Sequence, residues 1–155
     1  MAGEIRRARP PEAPALRELA HRSKAHWPYS AAFLERVRPL LGLEPDDVIA
    51  HEVWVLEEDG AVRGWHRVTL QGDHAELEDL WVEPTLIGTG RGRRLFEHAV
   101  GVARGHGAVH LDWDAEPFAE GFYRAMGAVE IGRTPSEVVR GRTLPRMRLT
   151  LQPHH

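Results

Sequence analysis

Three closely spaced glycines, Gly88, Gly90 and Gly92, form the stretch of this 155-residue chain that is best suited to binding chemistry. Glycine lets the backbone adopt positive φ values and approach a ligand closely. When such a turn opens a helix, its N–H groups and the positive end of the helix dipole converge on one point. The turn therefore predicts a binding site for an anion, such as the phosphate groups of a cofactor.

A strand and a helix must hold this turn in place. Residues 75–82 alternate loosely between apolar and polar side chains, and Pro84 ends this predicted strand because it has no N–H to donate. After the turn, apolar side chains recur at helical spacing, at Leu95, Phe96, Ala99, Val102 and Ala103. Gly105 and Gly107 then end the predicted helix.

Two well-known phosphate-binding motifs do not fit this stretch. The dinucleotide motif GxGxxG, counted from Gly88, would require glycine at Arg93. The P-loop motif GxxxxGK[ST] would require a Gly-Lys pair, which the chain does not contain. The predicted phosphate site therefore belongs to neither of these two classes.

The pattern that fits resembles the GNAT superfamily of acetyl-CoA-dependent N-acetyltransferases. Residues 82–84 (Val-Glu-Pro) and 90–92 (Gly-Arg-Gly) resemble its acetyl-CoA loop, with Ile87 where Gln or Arg is usual. Residues 116–127 resemble the family's Asn-x-x-Ala-x-x-Phe-Tyr-x-x-x-Gly helix, with Glu116 in place of the asparagine. That asparagine often contacts the pantetheine arm of the cofactor, so Glu116 is not counted among the expected site residues.

The resemblance implies acetyl-CoA as co-substrate. Backbone groups of Trp81 and Val82 are expected to bind the pantetheine arm beside the strand and the acetyl oxygen. The turn is expected to hold the pyrophosphate, and the implied cofactor-binding residues are Trp81, Val82, Gly88, Thr89, Gly90, Arg91, Gly92 and Arg93. Side chains of Arg91, Arg93 or Arg94 are further candidates for pairing with phosphate, or else serve only solubility at the surface.

Acetyl transfer to an amine releases a thiolate, which is stabilised when it receives a proton. Tyr123 matches the tyrosine of the family's helix motif, and the resemblance implies that it donates this proton. A half-buried structural tyrosine beside Phe122 is the alternative.

The attacking amine must also lose a proton, because with a pKa of ~10 only about one in a few thousand is neutral at pH 7. Residues 77–82 resemble the acidic strand of spermidine/spermine and related diamine acetyltransferases, in which an acidic pair faces the acceptor. The expected catalytic carboxylates are Glu78 and then Asp79, followed by Glu76. A strand bulge, typical of this family, would set their direction. A solvated strand face and a water relay without a dedicated base are the alternatives.

The acceptor is expected to be a small-molecule amine, attacked directly in a ternary complex. The acidic pair would attract a cationic amine, and Trp27, Tyr29 and Trp65 lie in segments able to wall its pocket. Residues 24–29 equally suit a packed turn between two helices. Two other functions stay open: a non-catalytic acyl-CoA-binding sensor or partner module, and acetylation of a protein N-terminus or lysine.

Composition narrows the class of protein. The net charge of −3 gives no indication of a nucleic-acid partner, and the absence of cysteine excludes disulfides, zinc-thiolate sites and thiol nucleophiles. No segment has the length or apolar character of a membrane span, and the N-terminus does not resemble a signal peptide, so a cytoplasmic protein is expected. A homodimer is expected by analogy alone.

Two groups of polar residues receive structural interpretations. His110, Asp112 and Asp114 alternate along a strand as metal ligands do, but acetyl transfer requires no metal, and we expect none. His66 is expected to be a hydrogen-bonded structural histidine in preference to a residue of the acceptor pocket.

The expected fold is α+β (mixed α/β), a GNAT-like mixed sheet in one domain over residues 1–155. An antiparallel N-terminal meander leads into a parallel central strand pair, and helices flank the sheet. The predicted strands cover residues 4–9, 48–56, 61–70, 75–82, 108–113, 128–131 and 145–151. The predicted helices cover 12–23, a segment capped by Ser30, the helix after the glycine turn, and 117–127, whereas 132–144 is predicted as a loop.

Overall fold

Seven strands form one mixed sheet in the order β1-β2-β3-β4-β5-β7-β6 in the computed structural model, which describes residues 3–152. The strands are β1 Glu4–Arg7, β2 Glu52–Glu58, β3 Ala61–Gln71, β4 His74–Val82, β5 His110–Asp114, β6 Val129–Pro135 and β7 Thr143–Thr150. The helices are α1 Ala13–Lys24, α2 Ala31–Val37, α3 Pro45–Ala50, α4 Arg91–Gly105 and α5 Glu120–Ala125. His154 and His155 lie outside the described residues.

The strand directions confirm the expected mixed sheet. Strands β1 to β4 pair antiparallel with their neighbours, β4 and β5 pair parallel, and β5, β7 and β6 again pair antiparallel. The parallel ladder between β4 and β5 holds only from His74 to Glu76 on β4 and from His110 to Asp112 on β5. Both strands continue beyond these pairs, so they separate toward their carboxyl ends and leave a cleft between them.

Two hydrophobic cores lie on opposite faces of the sheet. One packs α4 and α5 against the sheet around Phe96, Leu111 and Trp113, and the other packs α1 and α3 around Leu16 and Trp65. Burial of these large apolar side chains is the main favourable term that fixes the helices on the sheet. Within residues 3–152, no helix is both long enough and apolar enough to cross a bilayer.

One strand prediction was wrong in its first half, because residues 48–50 belong to α3 and β2 begins only at Glu52. Pro45 occupies the first turn of α3, where its missing N–H costs no hydrogen bond. The Glu44 backbone N–H donates to Asp47 Oδ2 at 2.8 Å, which closes the start of the helix. Val48 is buried on the inner face of this helix, and its apolar character alone does not distinguish helix from strand.

The prediction of a loop over residues 132–144 was also wrong, because β6 and β7 extend into it and leave only residues 136–142 as the connection. Strand β6 is at the edge of the sheet and almost entirely exposed, and its second half, residues 132–135, has no apolar alternation to reveal it. Its side chains instead make polar contacts, such as Arg133 Nε donating to Thr143 Oγ1 at 3.0 Å.

Candidate active site

The glycine turn has the backbone geometry expected of an anion-binding loop. Gly88 and Gly90 have φ values of +86° and +90°, which side chains of L-residues rarely tolerate. Helix α4 begins at Arg91, directly after Gly90, so the free N–H groups of its first turn face the loop. A Cβ atom added to Gly92 would lie 3.7 Å from Val82 Cγ2 and 3.7 Å from Phe122 Cζ. Gly92 therefore keeps a narrow space open between the loop and α5.

The arginines of the turn point in different directions. Arg91 Nε donates to Glu58 Oε1 at 2.7 Å, and Arg94 donates to the backbone carbonyl of Gly3. Arg93 lines the cleft, and it pairs with Glu97 at 2.9 Å through a side chain that is 69% exposed. Of these three arginines, Arg93 is thus the one best placed to meet a phosphate group.

A cleft of about 490 Å³ runs from this loop between the separated ends of β4 and β5. Its lining includes six of the predicted cofactor-binding residues, namely Trp81, Val82, Gly88, Gly90, Gly92 and Arg93. Thr89 and Arg91 are not among the lining residues, because the Thr89 hydroxyl bonds to the Leu86 carbonyl and Arg91 turns toward Glu58. The open space and the convergent N–H groups fit a phosphate-bearing ligand with an extended arm.

Tyr123 lies in the wall of this cleft and is 8% exposed. Its ring packs between Phe96 and Trp113, with centroid distances of 5.7 Å and 5.0 Å. Burial, and then the nearby charge of Glu116, raises the pKa of the Tyr123 hydroxyl well above its ordinary value. Like a free tyrosine, the hydroxyl is protonated at neutral pH, and the raised pKa makes it a weaker acid than a free tyrosine.

The carboxylates of β4 are positioned by a bulge at Glu78. Arg67 pairs with Asp79 and Val68 with Leu77, so Glu78 is an extra residue without a cross-strand partner. The bulge reverses the alternation along β4. Asp79 and Trp81 then lie on the α1 side of the sheet, whereas Ala75, Leu77, Leu80 and Val82 lie on the α4 side.

The three β4 carboxylates differ in their partners. Asp79 is buried, pairs with Arg67 at 2.7 Å and accepts from Trp81 Nε1 at 2.9 Å. Burial outweighs the Arg67 charge and raises the pKa of Asp79 to about 6. Glu78 is exposed and accepts from Thr69 Oγ1 at 3.1 Å.

Glu76 forms a two-pronged ion pair with Arg146, at 2.6 Å for each contact. It lines a separate surface groove of about 290 Å³. None of Glu76, Glu78 and Asp79 is among the residues that line the cleft holding Tyr123.

Glu116 lines the cleft, although the sequence had given it no role. Its side chain is 13% exposed and accepts hydrogen bonds from Lys24 Nζ and from the Tyr29 hydroxyl. The available signal was the acidic residue at a position where the resembled family has asparagine. Its partners are about ninety residues away along the chain, which no local pattern reveals.

The segment between α1 and α2 contributes one aromatic residue to the cleft and packs another against α2. Trp27 lines the cleft and stacks on Phe118, with ring centroids 5.7 Å apart. Tyr29 packs instead on Phe33, at 4.3 Å. The expectation for Trp65 was wrong, because its ring is buried in the α1 core and its Nε1 donates to the Leu16 carbonyl at 2.9 Å.

Two histidine interpretations can be compared with the geometry. His66 is fully buried and hydrogen-bonds through Nε2 to His98 Nδ1 at 2.9 Å, which confirms a structural, hydrogen-bonded histidine. His110 stacks on His74, and Asp112 pairs with Arg148 at 2.9 Å. Across residues 3–152, no group of three or more His, Asp or Glu side chains is arranged to hold a metal ion.

Comparison with known proteins gives a consistent result. Residues 14–128 match the model of the acetyltransferase (GNAT) family. A GCN5-related N-acetyltransferase from Rhodopseudomonas palustris is similar in structure, with a TM-score of 0.78 and 21% identity over 97% of both chains.

Two further solved structures show the same fold. The ribosomal-protein-S18-alanine N-acetyltransferase from Escherichia coli has a TM-score of 0.73 and 20% identity, over 99% of this chain and 96% of that one. A putative acetyltransferase from Salmonella typhimurium, solved with its cofactor acetyl-CoA, has a TM-score of 0.70 and 22% identity, over 100% of this chain and 97% of that one. These findings confirm the expected fold and the expected co-substrate, acetyl-CoA. The chain belongs to the acetyltransferase (GNAT) family.

Proposed function

We propose that this protein transfers an acetyl group from acetyl-CoA to the primary amine of a small cationic molecule, by direct attack in a ternary complex. The observation that carries the proposal is a single cleft with a phosphate-type glycine turn at one end and the protonated hydroxyl of Tyr123 in its wall. Family membership supports acetyl transfer as the reaction. The choice of acceptor rests on the residues around the cleft.

The end of β4 offers its backbone to the pantetheine arm. Leu80, Trp81 and Val82 pair with β3 on one side, whereas the described ladder to β5 on the other side ends at Glu76. Backbone N–H and C=O groups on that open side can bond to an extended ligand, as an added strand would. The same groups are donors for the oxygen that gains charge when the thioester is attacked.

Bound acetyl-CoA supplies the thioester, whose C–S bond breaks as the amine nitrogen bonds to the carbonyl carbon. Tyr123 donates its proton to the departing sulfur, and the second proton of the attacking nitrogen restores the tyrosine through water. The cationic amine gives up its first proton before attack. Overall, ammonium and thioester yield amide, thiol and one proton, so no further reactant is needed.

Glu78 is proposed as the carboxylate that receives this first proton, through water. Within residues 3–152, Arg or Lys pairs directly with Glu76 and Asp79, but no such cation lies within 4 Å of Glu78. Glu78 does not line the cleft, so it would act from outside it, where an unneutralised carboxylate favours the approach of a cation. Asp79 is the second candidate, and its pairing with Arg67 and Trp81 also orients the indole at the cleft.

The test is release of the CoA thiol by the purified protein with a panel of acceptors. The panel contains monoamines, diamines, amino acids and peptides with free N-termini or lysines, at matched concentrations. We expect diamines and other cationic amines to give the highest kcat/KM. Preference for peptides would favour a protein acceptor, and tight acetyl-CoA binding without turnover of any amine would favour a sensor. A single domain, a cytosolic location and a homodimer stay predictions.

A further inference from the structure

Glu116 provides the carboxylate that lines the cleft. Among the cleft-lining residues of the described chain there is no other Asp or Glu, and Arg93 at the far phosphate end is the cation. The Glu116 and Tyr123 side chains both belong to this lining. A ligand that extends from the thioester position toward Glu116 would therefore meet a negative charge inside a largely apolar space.

The partner of this carboxylate is a primary ammonium group. Lys24 Nζ pairs with Glu116 Oε2 and lies 4.9 Å from the Tyr29 ring centre and 5.8 Å from the Phe33 ring centre. The Tyr29 hydroxyl bonds to the other carboxylate oxygen, and Arg142 Nη2 donates to that hydroxyl at 2.9 Å. A carboxylate and two aromatic faces thus surround one –NH₃⁺ group, which is an arrangement that recognises alkylammonium ions.

Lys24 is the sole lysine in the 155-residue chain, whose other 19 basic residues are arginines. Arginine presents a planar fork of donors, whereas lysine presents a compact point charge with three rotatable donors. The one position where this chain has an ammonium group in place of a guanidinium group is the position that contacts the cleft carboxylate. Arg142 also lies over the Tyr29 and Phe33 rings, at 5.4 Å and 5.0 Å, but among the described residues Lys24 is the cation that pairs with Glu116.

A second cavity offers the Lys24 side chain an alternative position. Lys24 stands at the end of α1 and lines this cavity of about 200 Å³ between α1 and α2, which Glu35 lines as well. Arg38 lines the same cavity and lies 3.8 Å from Glu35, whose side chain is 76% exposed. Rotation of the flexible Lys24 side chain into this cavity would bring its charge toward solvent and Glu35, so that it would not be isolated in an apolar environment.

We propose that Glu116 and Tyr29 form the acceptor-ammonium subsite, and that Lys24 holds this subsite until a primary ammonium group of the acceptor displaces it. This inference rests on the proposed function, because it assigns a residue to the cationic acceptor. It predicts a preference for primary ammonium groups, since a quaternary group has no N–H to donate to Glu116 Oε2. Lys24 acts as an internal competitor that selects for acceptors able to replace it.

Binding without turnover separates this inference from the proposed function. The full chain, saturated with CoA, is titrated with n-butylamine at pH 7, where the probe is an ammonium ion, and with n-butanol as the neutral control. Because the chain has one lysine, ¹⁵N-lysine labelling gives a single side-chain ammonium signal. We expect n-butylamine, but not n-butanol, to shift this signal and release it from its bonded state.

Two variants complete the test. Lys24→Met removes the competitor and should tighten n-butylamine binding about tenfold, which corresponds to about 1.4 kcal/mol. Glu116→Gln keeps an acceptor oxygen for Tyr29 and should weaken the binding by a similar factor, with the amine affinity of each variant measured at saturating CoA. Lys24→Arg is the control that preserves the ion pair and should not tighten binding.

Several outcomes would overturn the subsite. They are an unmoved lysine signal when the amine binds, weaker amine binding in Lys24→Met, and unchanged binding in Glu116→Gln. Lasting acetylation of Lys24 itself, detected by mass spectrometry, would likewise overturn its role as a displaceable group. If the subsite binds n-butylamine as expected but no amine is acetylated, the proposed function fails while the subsite stands.

Discussion

Substitution of Gly92 can test the assignment of the glycine turn to acetyl-CoA binding separately from any effect on the stability of the fold. The Cβ of Gly92→Ala would lie at 3.7 Å from Val82 and Phe122, which is an ordinary van der Waals distance, so the helix should accept it. Gly101 lies in the same helix, and a Cβ there meets nothing within 4 Å. The two substitutions are thus chemically identical and differ in whether the added methyl group enters the cleft.

Gly92→Ala is expected to raise the stability of the fold and to lower the affinity for acetyl-CoA. Replacing glycine by alanine within a helix stabilises it by about 0.5–1 kcal/mol, so both variants should unfold at a temperature about 1–4 °C higher. In Gly92→Ala the methyl group occupies the space where the backbone is to approach the pyrophosphate. Its acetyl-CoA affinity should fall at least about tenfold, a loss of about 1.4 kcal/mol, whereas Gly101→Ala should keep the parent affinity.

Calorimetric titration with acetyl-CoA and thermal unfolding give the two quantities on the same samples. Equal affinities in Gly92→Ala and Gly101→Ala, with both proteins stable, would refute the assignment of the glycine turn to the pyrophosphate. A fall in the unfolding temperature of Gly92→Ala alone would instead show that the contact with Phe122 and Val82 is too tight for a methyl group.

Three more predictions concern Tyr123 as the proton donor, Glu78 as the carboxylate that receives the proton of the amine, and the pH dependence of stability. Tyr123→Phe should lower kcat on the order of a hundredfold with acetyl-CoA affinity kept, and an unchanged kcat would leave Tyr123 a structural residue. Glu78→Gln should raise the KM for a cationic amine by about threefold and move the pH–rate profile to higher pH, whereas Asp73→Asn at the far end of β4 should change neither. Burial lowers the pKa of His66 to about 3, so the unfolded chain takes up a proton below about pH 6.5 and the folded chain does not. Stability should therefore fall by up to about 2 kcal/mol from pH 7 to pH 5 in urea unfolding, and His66→Phe should remove that part of the dependence.

Local sequence patterns were sufficient to predict the elements around the glycine turn. The strand before the glycine turn, the turn and α4 follow from alternation, glycine content and helical spacing, and the motif around Tyr123 placed this residue in the cleft wall. The predicted strand at 128–131 found only the start of the edge strand β6, and its second half, residues 132–135, could not be predicted because it is exposed and has no apolar face. The packing role of Gly64 could not be predicted either. A Cβ at this position would lie 2.7 Å from both Leu95 Cδ1 and the Trp81 carbonyl oxygen, and these contacts are distant in sequence.

The ionic partners of the site could not be predicted for a different reason. The sequence presents Asp79 as a solvent-facing carboxylate, whereas in the structure it is buried and paired with Arg67 on the neighbouring strand. Glu116 was given no role, whereas its pairing with Lys24 and Tyr29 depends on α1 and the following segment folding over the end of β5. The role of a carboxylate depends on its desolvation and on the charges beside it, and both are set by contacts distant in sequence.

The bulge at Glu78 connects the opening of the cleft with the direction of the acidic side chains. The parallel ladder between β4 and β5 ends at Glu76, two residues before the bulge. A bulge bends its strand and increases the local twist, which turns the end of β4 away from β5 while β5 stays paired with β7. The same extra residue moves Asp79 to the α1 side and brings Leu80 and Val82 to the α4 side. One inserted residue therefore frees the backbone edge of β4 that we propose for the pantetheine arm, and it sets which face of the sheet carries Asp79.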